Sequence, residues 1–478
     1  MKKILFYNWI PFDEKEGKGG GVTIYTKNLI RYFINQPEWE VTFLSSGRAY
    51  DLINRKPRIQ RTNNIFNDSC ISYEIVNSPV FSSAKISFPF PKAYLSDESL
   101  LTLIRDFILS KGVFDVIHYQ NFEGLSASVF RLKEFFPNTR FIYSLHNYYP
   151  FCPQVMLWRN DRENCKLEHC GKECFECMPK DVYTCKVRLN QYADRKIESG
   201  VKLVNGLRII KKIMAIIADV VTKRRKFSDG KIEAYGMYFC EYEKQNVSYI
   251  NKYIDSVLAV SSRVRDIAIR KGVNPQKIII IYIGTQIAKN QLVYQKNNFD
   301  GNILNICYLG YMRSMKGFYF LLDALENMPL NMSSKIGVVI ASPSTDKNAC
   351  KRINNLNSKF VSVKYYDGYS HDDLDEILSN IHLGIVPPLW EDNLPQVAIE
   401  MKAKGVAVLA SDLGGAKELS TAPEFVFRAG DREDFYLKLE RLIKIPSLFD
   451  RYWECQVKLV TMEEHFKQLE EIYLENSR

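Results

Sequence analysis

Two kinds of hydrophobic spacing alternate along this chain. Runs that are apolar at consecutive positions, the mark of strands covered on both faces, fall at residues 3–9, 40–46, 114–120, 140–147, 256–262 and 277–284. Between them, segments at 23–34, 99–112, 125–136 and 263–270 are apolar at every third or fourth position, as helices with one buried stripe are. The alternation restarts at 302–311. It continues through strands at 335–343, 361–369, 384–386 and 406–410 and helices at 318–328, 372–379 and 431–444. Strand, helix, strand in this order predicts parallel sheets with helices on both faces. A polar stretch, 288–300, separates the halves. The expected organisation is one α/β domain over 1–290, a second over 300–450, and a long final helix from about 448 whose part 451–478 returns to the first domain. Residues 48–100 are polar and irregular and predict an insertion or loops, and a further insertion occupies about 150–250.

Chemistry in such sheets sits where loops leave the carboxyl ends of the strands. The richest loop follows residues 384–386. It runs through Pro387 and Pro388 to Glu391 and Asp392, then enters a helix predicted to be amphipathic, beginning near Pro395 and carrying Glu400. Gly405, a second strand and the turn Asp412-Leu413-Gly414-Gly415 complete a βαβ unit. In the first half, residues 16–22 read EGKGGGV before a helix. Consecutive glycines there either let backbone approach an anion at the helix N-terminus or simply make a flexible turn. Two strands end in histidine, His118 and His146, each open to a structural or a site role. In the second half Gly310 ends a strand, Arg313 and Lys316 occupy the loop, and Gly317 opens a helix. Two cations beside a helix N-terminus suit a diphosphate.

Composition adds limits. At 46% hydrophobic and 25% charged residues the chain is globular, neither collagen-like nor disordered, and no apolar run reaches the roughly 18 residues of a membrane span. Met1-Lys2-Lys3 precedes a short apolar run followed by Asp13 and Glu14, which reads as a buried first strand rather than a secretory leader. A cytoplasmic protein is expected. The net charge of +10 is compatible with anionic lipid, nucleic acid or anionic substrates. Much of it lies in a basic amphipathic segment from Val201 to Lys226 that ends in Lys223-Arg224-Arg225-Lys226. It is either a helix packed on the core with a solvated basic end or an interfacial helix held reversibly at an anionic membrane. Nucleic acid is disfavoured, because aromatic residues do not interleave with the basic ones. Six of the eleven cysteines cluster from Cys152 to Cys185. Cys152, Cys165, Cys174 and Cys177 are candidate ligands of a structural zinc, the alternative being a group of reduced thiols.

Taken together, KGGGVTIYTKNL, FDVIHYQN, YSLHNYYPFCP, IDSVLAVSSRVRDIAIRKG, YLGYMRSMKG and PPLWEDNLPQVAIEMKAKGVAVLASDLGGAKEL resemble the GT-B glycosyltransferases of family 4, the glycosyl transferases group 1. The cysteine-containing insertion resembles that of a subset of the family. The resemblance covers nearly the whole chain. It implies two Rossmann-like domains facing each other across a cleft, a nucleotide-diphosphate sugar as donor, and retaining transfer with no metal needed for catalysis. It further implies a glycan or polyprenyl-diphosphate-linked acceptor in bacterial surface polysaccharide synthesis, beside the inner face of the cytoplasmic membrane. Residue by residue, it assigns Gly19, Gly20 and Gly21 to the loop over the donor phosphates, Lys316 to the diphosphate, His146 to the donor sugar and Glu400 to the ribose. Gly317, Asn393, Leu394 and Pro395 belong to the same donor site. Two acids separated by seven residues characterise the family, and counting back from Glu400 selects Asp392 rather than Glu391 as the first. Where relatives carry arginine directly after the strand-end glycine this chain has Tyr311, so Arg313 would reach the phosphate from further along. These departures raise the alternative of a nucleotide-sugar-binding protein with weakened catalysis.

Overall fold

The computed structural model of the chain describes residues 1–11, 20–62, 70–83, 91–178, 184–198, 229–285 and 299–475. The first domain contains β1 (Lys2–Tyr7), β2 (Trp39–Ala49), β3 (Arg58–Arg61), β4 (Cys70–Val76), β5 (Val116–Tyr119), β6 (Arg140–Leu145), a small hairpin of β7 (Trp158–Arg159) and β8 (Glu163–Asn164), β9 (Ser256–Ala259) and β10 (Ile278–Ile280). Its sheet has the order β10-β9-β6-β5-β1-β2-β4-β3, parallel except where β3 runs against β4. The second domain contains β11 (Leu304–Leu309), β12 (Ile336–Ser342), β13 (Ser362–Asp367), β14 (Leu383–Val386), β15 (Ala407–Ser411) and β16 (Val426–Phe427). These form a parallel sheet ordered β13-β12-β11-β14-β15-β16. Two Rossmann-like domains facing across a cleft are thus what the structure shows.

Alternation across the pleat decides which side chain enters which core. From β1, Ile4 and Phe6 enter one cluster with Leu29, Ile30 and Phe33, whereas Leu5 and Tyr7 enter the other with Ile117 and Tyr119. The first cluster is completed from the far end of the chain by Met462, Phe466, Leu469, Ile472 and Tyr473. They lie on the helix Met462–Leu474, which begins in a capping box between Thr461 and Glu464. Trp39 Nε1 donates to Glu470 Oε1 at 2.8 Å, and His118 Nδ1 meets the Tyr473 hydroxyl at 2.6 Å.

Three expectations are corrected. Residues 48–100 are not merely irregular, because β3 and β4 form an edge of the sheet. In β4 the reading CISYEIV hides Glu74, a buried carboxylate that accepts from Gln60 Nε2 at 2.9 Å and pairs with Arg195. A charge satisfied this way enters a core without leaving an apolar signal in the sequence. The long final helix is two helices, Leu448–Glu454 and Met462–Leu474. The chain between them crosses from one domain to the other, and extended backbone finds partners on both sides. Val457 N donates to Leu419 O in the second domain at 3.0 Å, and Thr285 N in the first donates to Val460 O at 3.1 Å. The helix Gln396–Ala403 is not amphipathic, since five consecutive residues, Ala398 to Lys402, are buried. Lys402 is tolerated there because its ammonium donates to the carbonyl of Leu419 at 2.7 Å and to that of Val457. The basic segment 201–226 and most of the stretch 288–300 lie outside the described residues.

Removing Met462–Leu474 takes five buried apolar side chains from the first domain's core. At roughly 2 kcal/mol each this is about 10 kcal/mol, the scale of a whole domain's stability. A chain ending at Val460 is expected to show no cooperative thermal transition for the first domain. A calorimetric Tm within a few degrees of the intact chain's would contradict that.

Candidate functional site

Between the domains lies a cavity of about 490 Å³. Its floor comes from strand ends. Tyr308, Leu309 and Gly310 close β11, Ile385 and Val386 close β14, and His146 follows β6. Two helices open onto it from opposite domains. Gly20, Gly21 and Val22 begin the helix Gly20–Phe33, while Gln396 and Val397 begin Gln396–Ala403, whose cap residue Pro395 supplies no side-chain bond. They meet closely, for a Cβ on Gly21 would lie 2.9 Å from Gln396 Oε1. Two helix N-termini and Lys316 make this wall positive and suited to an anion.

The loop between β14 and that helix is held by close packing. Gly317 has φ 74°, and a Cβ there would sit 1.7 Å from the carbonyl oxygen of Pro387. No other residue fits, which is why the turn Ser314–Lys316 ends in glycine and puts Lys316 at the cavity. Lys316 Nζ donates to Asp392 Oδ2 at 2.6 Å and lies 5.3 Å from the centre of the Trp390 ring. Asn393 bonds back to the first domain, with its side-chain amide donating to Leu145 O at 3.4 Å and its carbonyl accepting from Ser261 Oγ at 2.7 Å. Among the described residues, Trp390 Nε1 and Asn393 Oδ1 are buried with no protein partner. Such atoms are costly unless something else bonds to them.

Glu400 lines the cavity, and burial pushes its carboxyl above the ordinary range even though the imidazole of His371 lies 3.6 Å away. His146, half-buried at the cavity, has the Tyr25 ring centre 4.9 Å away and Gln120 Oε1 3.0 Å from its Nε2. Burial, reinforced by His465, lowers its pKa to about 3. It is therefore a neutral hydrogen-bonding group near neutral pH. His465, from the C-terminal helix, meets the Tyr25 hydroxyl at 2.6 Å and is lowered by burial to about 4.

Of the expected site residues, Gly20, Gly21, His146, Lys316, Asp392, Asn393, Leu394, Pro395 and Glu400 line one cavity. Gly317 acts from behind it. Arg313 is exposed and lies outside the lining, its guanidinium 5.4 Å from the ring centre of Tyr311. Glu391 turns away from the cavity toward Arg263. His118 is a buried structural histidine between Tyr473 and Ser144. Gly19 lies outside the described residues. Tyr25, His371 and Gln396 also line the cavity, and no spacing in the sequence singled them out.

The zinc expectation is corrected. Among the described residues no three Cys, His, Asp or Glu side chains converge as metal ligands. Cys177 Sγ instead donates to Asn160 Oδ1 at 3.7 Å, and Cys170 Sγ to Phe151 O at 3.1 Å. Burial pushes the Cys152 thiol up to about 12 and raises Cys165 and Cys177 as well. Cys174 alone of these four is lowered, by its neighbour Cys170. Cys185 has no described side chain.

Residues 291–454 match the family described as glycosyl transferases group 1. An uncharacterized glycosyltransferase of Methanocaldococcus jannaschii is 25% identical over 185 residues, 37% of this chain and 46% of that one, so the match spans under half of the relative's length. HepE of Anabaena, crystallised in complex with UDP and glucose, superposes with a TM-score of 0.52 at 14% identity over 99% of both chains. A glycosyltransferase of Rickettsia africae superposes at 0.55 and 13% identity over 100% of this chain and 99% of its own. These superpositions fix the fold.

His146 and His465 are neutral when folded and bind protons when unfolded, because their pKa values fall from 6.5 to about 3 and about 4. The unfolded state thus holds more protons below pH 6.5, and stability falls as pH drops. Each histidine contributes a slope of about 1.4 kcal/mol per pH unit inside its window. Urea midpoints are expected to decline steadily from pH 7 to pH 5. A flat profile would show that these rings are not held neutral.

Proposed function

We propose, from a C-terminal domain that belongs to the group 1 glycosyltransferases and a whole chain with the GT-B fold, that this protein moves a sugar from a nucleotide-diphosphate donor to an acceptor. The observation that carries the reading is the cavity itself. It gathers two helix N-termini, Lys316 and the carboxylates Asp392 and Glu400 within one interdomain space.

The chemistry follows from charge. Breaking the bond between sugar and diphosphate leaves negative charge on the phosphate, and preorganised positive groups stabilise it as it develops. Lys316 and the helix N-termini at Gly20 and Gln396 are those groups. A diphosphate takes Lys316 from Asp392 and frees that carboxylate for sugar hydroxyls. Glu400 holds the ribose. His146, neutral, orients the sugar by hydrogen bonding rather than by proton transfer. Trp390 Nε1 and Asn393 Oδ1, without protein partners, are satisfied by the donor. Retention of configuration, with the departing phosphate assisting as base, completes the reading, and no metal takes part. The acceptor is a glycan or a polyprenyl-diphosphate-linked sugar of a bacterial surface polysaccharide, met at the inner membrane face with the basic segment 201–226 in contact with anionic lipid. No described helix is long and apolar enough to cross a membrane.

One observation favours a second reading, a nucleotide-sugar binder with weakened turnover. Arg313 stands off the cavity, so Lys316 is the lysine or arginine on its described lining. Incubation with UDP-, GDP- and ADP-sugars and acceptor extracts separates the two. Transfer from one donor supports the enzyme, binding without transfer supports the second reading, and no binding rejects both. Glu400→Gln is expected to lower donor affinity at least tenfold, since hydrogen bonds to charged groups contribute about 1.5–3 kcal/mol. Circular dichroism should be unchanged. Unaltered affinity in a calorimetric titration would refute the ribose role.

A further inference from the structure

Glu391 and Asp392 are adjacent, yet they serve different surfaces. Asp392 lines the cavity, while Glu391, also buried, points into the contact between domains. There it receives the Arg263 guanidinium as a fork, Nε to Oε2 at 2.7 Å and Nη2 to Oε1. Gly414 N adds a bond to Oε2 at 3.2 Å and Asn164 Nδ2 one to Oε1 at 3.4 Å. Burial opposes the charge on Glu391, but Arg263 outweighs it and holds the carboxyl below its ordinary range.

A second carboxylate of the same domain reaches the same helix. Glu418 accepts from the backbone N–H groups of Ser262, at 2.8 Å, and Arg263, at 2.7 Å, and from the Tyr282 hydroxyl at 2.9 Å. It thereby occupies the positive end of the helix Ser262–Arg270. Ser261 Oγ bonds to Asn393 O at 2.7 Å. On the other side of the loop, Gly415 N donates to Asp392 O at 2.8 Å, and Gly414 comes so close that a Cβ would meet the same oxygen at 2.2 Å. Residues 391–393 are therefore seated by the first domain from one side and by the Gly414-Gly415 turn from the other.

We infer that Arg263 is a positioning residue for the donor site. By locking Glu391 it sets the direction of Asp392 and the loop through Pro395, so that the site is assembled only when the domains are in contact. The inference rests on the nucleotide-sugar reading of the cavity, but its geometric half is independent of it. A fork of this kind is not reproduced by lysine. Removing one partner of a buried pair leaves the other charge stranded, whereas removing both relieves it.

The test uses the full chain with Arg263→Met, Arg263→Lys and the double variant Arg263→Met/Glu391→Leu, each checked for folding by circular dichroism. Affinity for UDP, GDP and ADP is measured by calorimetry, and the radius of gyration by small-angle X-ray scattering. Arg263→Met is expected to weaken nucleotide binding at least tenfold and to raise the radius of gyration. Arg263→Lys should fall between it and the parent. The double variant should regain the compact radius without regaining full affinity, because the stranded carboxylate is gone but Asp392 is no longer steered. Wild-type affinity and radius in both Arg263→Met and Arg263→Lys would overturn the inference. A parent chain that binds no nucleotide would sink the functional reading instead, and the scattering comparison would still decide the latch. If Arg263→Met does not fold, Arg263→Lys carries the same two measurements, and identity with the parent in both overturns the inference.

Discussion

Gly21 from one domain and Gln396 from the other come so close that a Cβ on the glycine would lie 2.9 Å from the Gln396 side-chain oxygen. Each residue stands in the first turn of its helix, and each helix points its positive end at the same space. Two like ends brought together repel unless something negative lies between or beside them. The cavity carboxylates Asp392 and Glu400 do part of this work, Asp392 directly on Lys316. The rest of the structure follows from the need to hold this junction. The strands set the helix origins, Gly317 admits the loop beneath Pro387, and the returning C-terminal helix joins the two ends of the chain.

That return has a chemical consequence. The helix Met462–Leu474 brings His465 to Tyr25 and thus into the shell around His146. His118 and His465 are buried and His146 half-buried, close enough to disfavour protonation of His118 and His146 electrostatically, desolvation being the larger cause. A ring kept neutral in this way offers one donor and one acceptor nitrogen. Gln120 engages Nε2 of His146, and in the proposed reading its other nitrogen is the one offered to the donor sugar. The extended crossing before this helix is fastened in turn by Lys402, which bonds Val457 and Leu419 from within the helix that carries Glu400. The cavity and the domain crossover therefore share an element.

Arg263, Glu391 and Glu418 show the same economy at the opposite edge. Buried opposite charges are a weak source of stability because desolvation offsets their attraction, but they are a strong source of orientation when a guanidinium fork meets a carboxylate. Their use beside the loop that bears Asp392 is consistent with geometry, rather than stability, as the purpose.

By itself the sequence determined the alternation of strands and helices, the division into two parallel domains, and the loops that would carry chemistry. These depend on spacing of two or about 3.6 residues and on glycine where backbone must turn, both of which are local. Counted against the two-acid spacing of the family it resembles, it also pointed to Asp392 rather than Glu391, and Asp392 lines the cavity. Only the tertiary structure decided the rest. Strand β4 was hidden because Glu74 is satisfied by Arg195, a partner 121 residues away. The final helix breaks because a domain crossing needs extended backbone, and no proline or glycine marks the place. Arg313, three residues before Lys316, is exposed and off the cavity lining because the turn into Gly317 brings only Lys316 to it. The cysteines look like ligands in a list of spacings, yet among the described residues their side chains meet carbonyls and one another rather than a common point. Convergence in space is set by the packing of distant segments, and no local pattern records it.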